Sequence, residues 1–288
     1  MLLDIIQTGL DGFMVGSLYA MVALGITLVF GLVGILNFAH GQSVMLGAYV
    51  CFFIVSGGHS FWVGAVVATL SMGVFGALLE RAVFRRTLGD PFAGLAVSLG
   101  LIMIIENVAA AGLTPDPRFM DPPVSGTFAL GPIILSSQRS LVFVISSALI
   151  VGFWLFLQRA TLGKAIRAMS QSRQGAALVG VRVDTVSRSI FAVGSALAGA
   201  AGALYASLFA VTPFMGAAPL TKGFILAALG GLGSVPGAIA AGFLLGLAES
   251  FGSRYLSASF RDGYGFIILI FALLFLPTGL FGAGKARV

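Results

Sequence analysis

Long apolar runs separated by short polar turns make up most of this sequence. Within each run the hydrophobic residues are continuous rather than alternating, which favours helices over strands. A segment that crosses lipid must satisfy its own backbone hydrogen bonds, so it has to be an α-helix or part of a closed barrel. The pattern therefore predicts an all-α, polytopic membrane bundle of about eight transmembrane or half-membrane helices.

The limits of the apolar runs set the predicted helices. The run 224–229 is too short to cross a bilayer and is expected to be a half-helix that follows a turn at 213–223. A glycine-rich break at 230–237 comes next, and then a helix that continues to Glu249. The other helices are expected at 5–33, 44–56, 61–79, 92–113, 140–157, 190–211 and 264–280.

Composition supports a membrane protein with little mass outside the bilayer. Hydrophobic residues make up 58% of the chain and charged residues only 9%, which is too little charge to cover the surface of a soluble domain. At about 20 residues per spanning helix, one bundle accounts for most of the chain and leaves no room for a separate soluble domain. Residues 1–288 are therefore expected to form a single transmembrane domain.

The net charge of +6 is concentrated in a few segments. Basic residues beside membrane helices mark the cytoplasmic side, so the loop at about 159–188 and the C-terminus are expected there. The N-terminus and the proline-containing loop at about 114–138 then lie on the outer side, where Lys222 would snorkel. This clustering indicates contact with a lipid bilayer and no nucleic acid. The clustered cations are Arg159, Lys164, Arg167, Arg173, Arg182 and Arg188; Arg81, Arg85 and Arg86; Lys285 and Arg287.

Two short stretches resemble each other, GSLYA at 16–20 and GALYA at 202–206. Each lies in a long predicted helix that is followed by a glycine-rich break and a helix of small residues. The first helix runs inward in the predicted topology and the second runs outward. The pattern therefore favours an inverted repeat with broken helices, an arrangement found in transporters.

Polar residues at the two helix breaks are the first candidates for a functional site. Unwound backbone is tolerated at membrane depth only where protein or water satisfies it, so the first break is expected to line a translocation path or gate. The alternative is a helix cap at the cytoplasmic interface with a solvated His40. The second break would offer a helix N-terminus to an anionic group, or would serve only close helix packing. The residues concerned are Asn37, Phe38, His40 and Gln42 in the first break, and Gly230, Gly231, Gly233 and Ser234 in the second.

Two carboxylates lie inside predicted membrane helices, Glu106 and Glu249. Acids at this depth are protonated, paired or exposed to water. We expect each to accept hydrogen bonds from neighbouring helices, and contact with a transported substrate is the alternative. The chain contains Cys51 as its only cysteine and two histidines, so neither a metal site nor a bound cofactor is expected.

The basic loop contains a short apolar segment that predicts a helix ending at a glycine. This segment lacks the large aromatic residues typical of membrane insertion, so we expect it to dock into a cytoplasmic partner as a coupling helix. An interfacial helix held by anionic lipid is the alternative. Its residues are Ser172, Arg173, Ala176, Ala177, Leu178, Val179 and Gly180.

The segment from Gly279 to Lys285 has the spacing of a phosphate-binding loop, G-x-x-x-x-G-K. Ala286 stands where such a loop carries a serine or threonine for magnesium, and no strand precedes the segment. A nucleotide site is therefore not expected on this chain. Any use of ATP would have to come from another subunit.

Three segments together support a family resemblance: GSLYAMVALGITLVFGLVGILNFAHGQSVMLGAYV, RATLGKAIRAMSQSRQGAALVGV and ALGGLGSVPGAIAAGFLLGLAES. The chain resembles, over nearly its whole length, the branched-chain amino acid ABC transporter permeases of the LivH type. The resemblance implies a bacterial inner-membrane importer subunit without its own catalysis. It also implies a second permease chain (LivM-type or a copy of this one), two cytoplasmic ATPase subunits that bind ATP and magnesium, and a periplasmic binding protein.

The sequence features leave three functions to compare. The favoured one is a permease subunit that forms half of a path for branched-chain amino acids or for a related small amino acid, amide or carboxylate. The alternative is a stand-alone secondary transporter or channel that uses Glu106 or Glu249 for ion coupling. An enzyme is disfavoured because the sequence offers no nucleophile–base pair, metal cluster or carboxylate dyad at useful spacing.

Overall fold

A computed structural model describes residues 1–87, 90–276 and 278–281. Within these residues the chain forms eleven α-helices and one β-hairpin. Lys285 and Arg287 lie outside the described residues, as does the end of the phosphate-loop-like segment. The elements are α1 Leu2–Leu28, α2 His40–Ser56, α3 Phe61–Ala82, α4 Pro91–Leu113, β1 Thr127–Leu130, β2 Ile133–Ser136, α5 Ser137–Arg159, α6 Thr161–Gln171, α7 Arg173–Leu178, α8 Val183–Leu208, α9 Ala217–Gly230, α10 Val235–Tyr255 and α11 Arg261–Phe275.

Seven of the described helical segments are long and apolar enough to cross a membrane, and two shorter apolar helices, α2 and α9, lie between them. This confirms the all-α, polytopic membrane bundle. A turn of π-helix at Val29–Val33 extends α1. Short 3₁₀ turns at Phe84–Thr87 and Ala258–Phe260 follow α3 and α10.

Several predicted boundaries are wrong. The predicted turn at 213–223 is helical from Ala217, because Pro219 falls in the first turn of α9, where a missing backbone N–H breaks no helical hydrogen bond. The helix α8 begins at Val183 rather than at residue 190. The helix α11 covers Arg261–Phe275 rather than 264–280. The loop 114–138 is non-helical as expected, but its hairpin β1–β2 was not predicted.

Glycine-lined contacts join the helices in a reciprocal pattern. On α1, Gly16 lies against the backbone of α10 at Gly242. On α8, Gly199 lies against α3 at Met72 and is also in contact with α2 at Gly47. Thus α1 packs against α10, and α8 packs against α3. If α1–α3 and α8–α10 are two related halves, the first helix of each half packs against the third helix of the other.

The two ends of the bundle differ in their interactions. The hairpin end, named for β1–β2, holds the start of α1 and the ends of α8 and α10. There Gln7 donates to Ile134 O (3.2 Å) and Arg254 forms an ion pair with Asp4 (2.8 Å). The backbone of Arg118 forms an isolated antiparallel β-bridge with that of Val211. The opposite, basic end holds 81–87 and 157–182, so the described basic clusters lie together. Because α1 starts at the hairpin end and α8 finishes there, the two helices run in opposite directions, as an inverted repeat requires.

Candidate functional site

The first helix break is buried inside the bundle. Beyond the π-turn, Gly34 has a φ of 75°, which lets the chain turn back before α2 begins at His40. The His40 ring is only 1% exposed and packs against Gly25 of α1. The alternative of a solvated histidine at the cytoplasmic interface is therefore wrong.

Buried polar atoms remain unpaired in this break. Neither ring nitrogen of His40 has a hydrogen-bond partner among the described residues, and the same holds for Asn37 Oδ1. Phe38 stacks on Phe224 of α9 with ring centroids 4.4 Å apart. Orphaned polar groups at membrane depth are costly and commonly functional, which favours a path or gate role for this segment.

The break brings the starts of two half-membrane helices together. Gly41 of α2 and Gly216, which precedes α9, meet backbone to backbone. Next to them Gln42 is fully buried and donates through Nε2 to Glu106 Oε1 of α4 (2.9 Å). The structure therefore unites Gln42 with the predicted path acid Glu106, and the hydrogen bond expected for Glu106 is present.

The second break lies at the other end of α9. Gly231 and Gly233 have φ values of 96° and 89°, and Ser234 Oγ caps α10 by accepting from Gly237 N (3.1 Å). Gly233 packs on Gly31 of the π-turn. Close packing of the breaks is thus observed, and anion binding at the α10 N-terminus stays a prediction.

The two breaks do not form one site. The helix α9 separates them, since its first residues contact 41–42 and its C-terminal Gly230 packs against Gly237. Gly233 and Ser234 instead line a cavity of about 220 Å³ at the basic end, together with Gln158 and Arg167.

The predicted coupling segment has the expected form. Ser172 caps α7 by accepting from Gly175 N (3.0 Å), and Gly180 adopts a φ of 85° just beyond it. Ala176 is buried, whereas Leu178 and Val179 are 89% and 77% exposed. The described part of the basic end therefore presents two adjacent apolar side chains outward.

The structure contains a buried charge cluster that was not predicted from the sequence. Lys222 of α9 lies inside the bundle and pairs with Glu249 of α10, so the snorkelling prediction for Lys222 is wrong. Glu249 also accepts from Tyr19 Oη of α1 (2.8 Å) and Arg261 Nε of α11 (3.2 Å). On its other side Lys222 is 2.9 Å from Asp262 Oδ1. We call these five residues the charge cluster.

The signal for this cluster was present in the sequence. A buried cation in lipid needs a carboxylate partner, and the apolar C-terminal half offers Glu249 and Asp262 to Lys222 and Arg261. A cavity of about 280 Å³ lies between α9 and α11 beside the cluster.

Comparison with known proteins identifies the family. A family model described as "Branched-chain amino acid transport system / permease component" matches residues 9–276. The chain belongs to this family. LivH of Escherichia coli K12, a high-affinity branched-chain amino acid transport system permease protein, is 31% identical over 96% of this chain and 95% of its own length. BraD of Pseudomonas aeruginosa, named in the same way, is 32% identical with the same coverage.

Two more distant similarities extend this result. LivM of E. coli K12, also a permease protein, is 26% identical over 91% of this chain and 67% of its own length. The fold is similar to that of PsaBC from Streptococcus pneumoniae, solved in complex with Fab, with a TM-score of 0.51, 13% identity, and coverage of 94% of this chain and 92% of that one. At 13% identity this likeness concerns the fold alone. The chain is a multi-pass membrane permease component.

Proposed function

We propose that this chain is a transmembrane permease subunit of a bacterial ABC importer and forms half of the path for branched-chain amino acids or a closely related small molecule. The observation that carries the proposal is the family match over 9–276. LivH and BraD, similar to this chain end to end, are both named as permease proteins of branched-chain amino acid transport systems.

The second half of the path comes from another permease chain of the LivM type. One organism, E. coli K12, has two differently named permease proteins, LivH and LivM, that are both similar to this chain. This chain covers 95% of LivH but 67% of LivM, so it takes the LivH position. A periplasmic binding protein delivers the substrate, and two cytoplasmic ATPases hold ATP and magnesium. The chain itself performs no catalysis.

The basic end faces the cytoplasm, and α7 docks into an ATPase there. Positive charge beside membrane helices supports this orientation. The exposed Leu178 and Val179 give the ATPase an apolar contact, and the buried Ala176 anchors α7 to the bundle. The N-terminus and the β-hairpin lie on the periplasmic side.

A charge at the tip of α7 tests the docking step. Leu178→Glu would bury a carboxylate in an apolar contact, so we expect loss of ATPase co-purification and of ATP-driven leucine uptake. Val124→Glu is the matched control, because it adds the same charge at an exposed apolar site in the hairpin-end loop. Full assembly and uptake in Leu178→Glu would contradict docking through α7.

Thiol labelling tests the orientation separately. The native Cys51 is fully buried, so we expect it not to react with the reagent. In intact spheroplasts that produce the chain without its ATPases, so that α7 is undocked, we expect an impermeant maleimide to label Val124→Cys but not Leu178→Cys, with both labelled after lysis. The reverse pattern would overturn the topology, and gradient-driven uptake by the isolated chain would favour a secondary transporter instead.

A further inference from the structure

The cavity between α9 and α11 has both charged and apolar lining residues. From α9 it is lined by Lys222 together with Ala218 and Ile225, and Glu249 of α10 also lines it. From α11 it is lined by Asp262 together with Gly265 and Phe266. Its volume of about 280 Å³ is close to the lower limit of ligand pockets, about 300 Å³, which suits a small ligand.

The charges of the cluster beside the cavity balance. Lys222 and Arg261 contribute two positive charges, and Glu249 and Asp262 contribute two negative ones. Glu249 is held on all sides by Lys222, Arg261 and Tyr19, and it is 1% exposed. Asp262 differs from Glu249, because its side chain is 76% exposed and its ion-pair contact is Lys222 alone among the described residues.

The Lys222–Asp262 pair therefore forms the replaceable part of the cluster. Asp262 can turn away from Lys222 without a new burial cost, because its side chain is already exposed. A ligand carboxylate could then take its place on Lys222, while Asp262 accepts the ligand's ammonium group. Every charge keeps a partner in this exchange, so the penalty for an unpaired buried charge does not arise.

We infer that this cavity is a low-affinity site for a zwitterionic amino acid with an apolar side chain, an assignment that rests on the proposed transport function. The carboxylate binds Lys222, the ammonium binds Asp262, and the side chain packs against Ile225 and Phe266. A simple carboxylate would leave Asp262 without its cation, and a simple amine would compete with Lys222 for Asp262. The site therefore selects zwitterions over monoanions and monocations.

Low affinity suits a site inside a transport path. A permeating species must bind well enough to enter and weakly enough to leave. Replacing one ion pair by two gains one pair, but desolvation of the ligand's two charged groups offsets that gain. Burial of the apolar side chain then adds a modest gain. Glu249, fixed by three donors, keeps Lys222 in position during the exchange and is a positioning residue.

Ligand-observed NMR can test this site. The assembled permeases and ATPases, without the binding protein, are placed in lipid nanodiscs, and saturation transfer to L-leucine, 4-methylpentanoate or 3-methylbutylamine is titrated. We expect leucine to show saturable transfer and the two singly charged analogues to bind at least tenfold more weakly. Empty nanodiscs give the lipid background.

Variants then locate the binding. Asp262→Asn should weaken leucine binding at least tenfold, and Asp116→Asn, an exposed acid on the hairpin-end loop, should leave it unchanged. Ala218→Phe, which fills the cavity from an exposed position, should also abolish binding. Absence of saturable leucine binding, equal binding in Asp262→Asn, or equal binding of 4-methylpentanoate would each overturn the inference.

ATP-driven uptake separates this inference from the proposed function. If the wild-type complex with its binding protein imports leucine while Asp262→Asn binds leucine normally, the site is wrong and the transport function stands. If the wild-type complex imports no amino acid in the presence of ATP, the transport function itself fails.

Discussion

The charge cluster leads to a prediction about the free energy of unfolding, in which loss of Glu249 costs more than loss of Lys222. Glu249→Gln removes the only fully buried carboxylate that faces Lys222 and Arg261 in the described structure, leaving two cations against the exposed Asp262. Breaking a buried pair by removing one partner costs about 3–5 kcal/mol. Lys222→Met should cost less, about 1–3 kcal/mol, because Glu249 keeps Arg261 and Tyr19 as donors.

The double variant is the decisive measurement. In Lys222→Met/Glu249→Gln, no uncompensated lysine remains, and Arg261 still has Asp262 close by in the chain. We therefore expect the double variant to be about as stable as Glu249→Gln alone, because a coupling of about 2 kcal/mol, within the range seen for residues in contact, offsets the cost of losing Lys222.

Unfolding in mixed detergent micelles, followed by tryptophan fluorescence, gives the four free energies of the cycle. Arg254→Gln on the same helix is the control, because its pair with Asp4 is exposed, and such pairs are worth about 0–1 kcal/mol. Additive effects of the Lys222 and Glu249 substitutions would refute a buried ion pair between them, and so would an Arg254→Gln variant that is as destabilised as Glu249→Gln.

Three further predictions concern packing, capping and charge. Gly16→Ala should destabilise the bundle by about 1–3 kcal/mol, since its Cβ would lie 2.9 Å from a backbone oxygen of α10. Gly100→Ala is the control and should be neutral, because nothing lies within 4 Å of the added Cβ. Equal thermal unfolding temperatures of the two variants would contradict the close packing. Ser234→Ala should cost about 1 kcal/mol through loss of the α10 cap, and rescue by Ser234→Asp but not by Ser234→Val would be expected in the same assay. Glu80→Gln should expose 81–87 to proteolysis, because the buried Glu80 carboxylate lies 3.8 Å from Arg188 of α8; an unchanged cleavage rate would argue against that tie.

Local signals in the sequence were sufficient for part of the fold and the site. Ser172 and Gly180 act within a few residues of themselves, so the capped helix α7 could be predicted from them. Apolar runs likewise predict spanning helices, because lipid imposes the same requirement on every such segment.

Contacts between distant segments could not be predicted in this way. Position in the chain placed Lys222 at the outer edge of a half-helix, but its partners Tyr19 and Glu249 are 203 and 27 residues away. The burial of His40 similarly depends on Gly25 and on the approach of α8 at Gly194. A single sequence carries the residue types of such a site but not which of them meet.

The contacts of α8 give a route by which motion of α7, the proposed coupling helix, would reach the first break. The helix α7 is joined to α8 through Gly180, and α8 crosses α1 where Gly194 meets Gly25, directly beside the His40 ring. Glycine contacts of this kind leave no side chain to absorb a shift, and close-packed elements tend to move as units between discrete arrangements. A displacement of α7 would therefore press on α1 at Gly25, beside the His40 ring of α2. There the π-turn that extends α1 and the His40 ring nitrogens, which have no hydrogen-bond partner among the described residues, leave room for rearrangement.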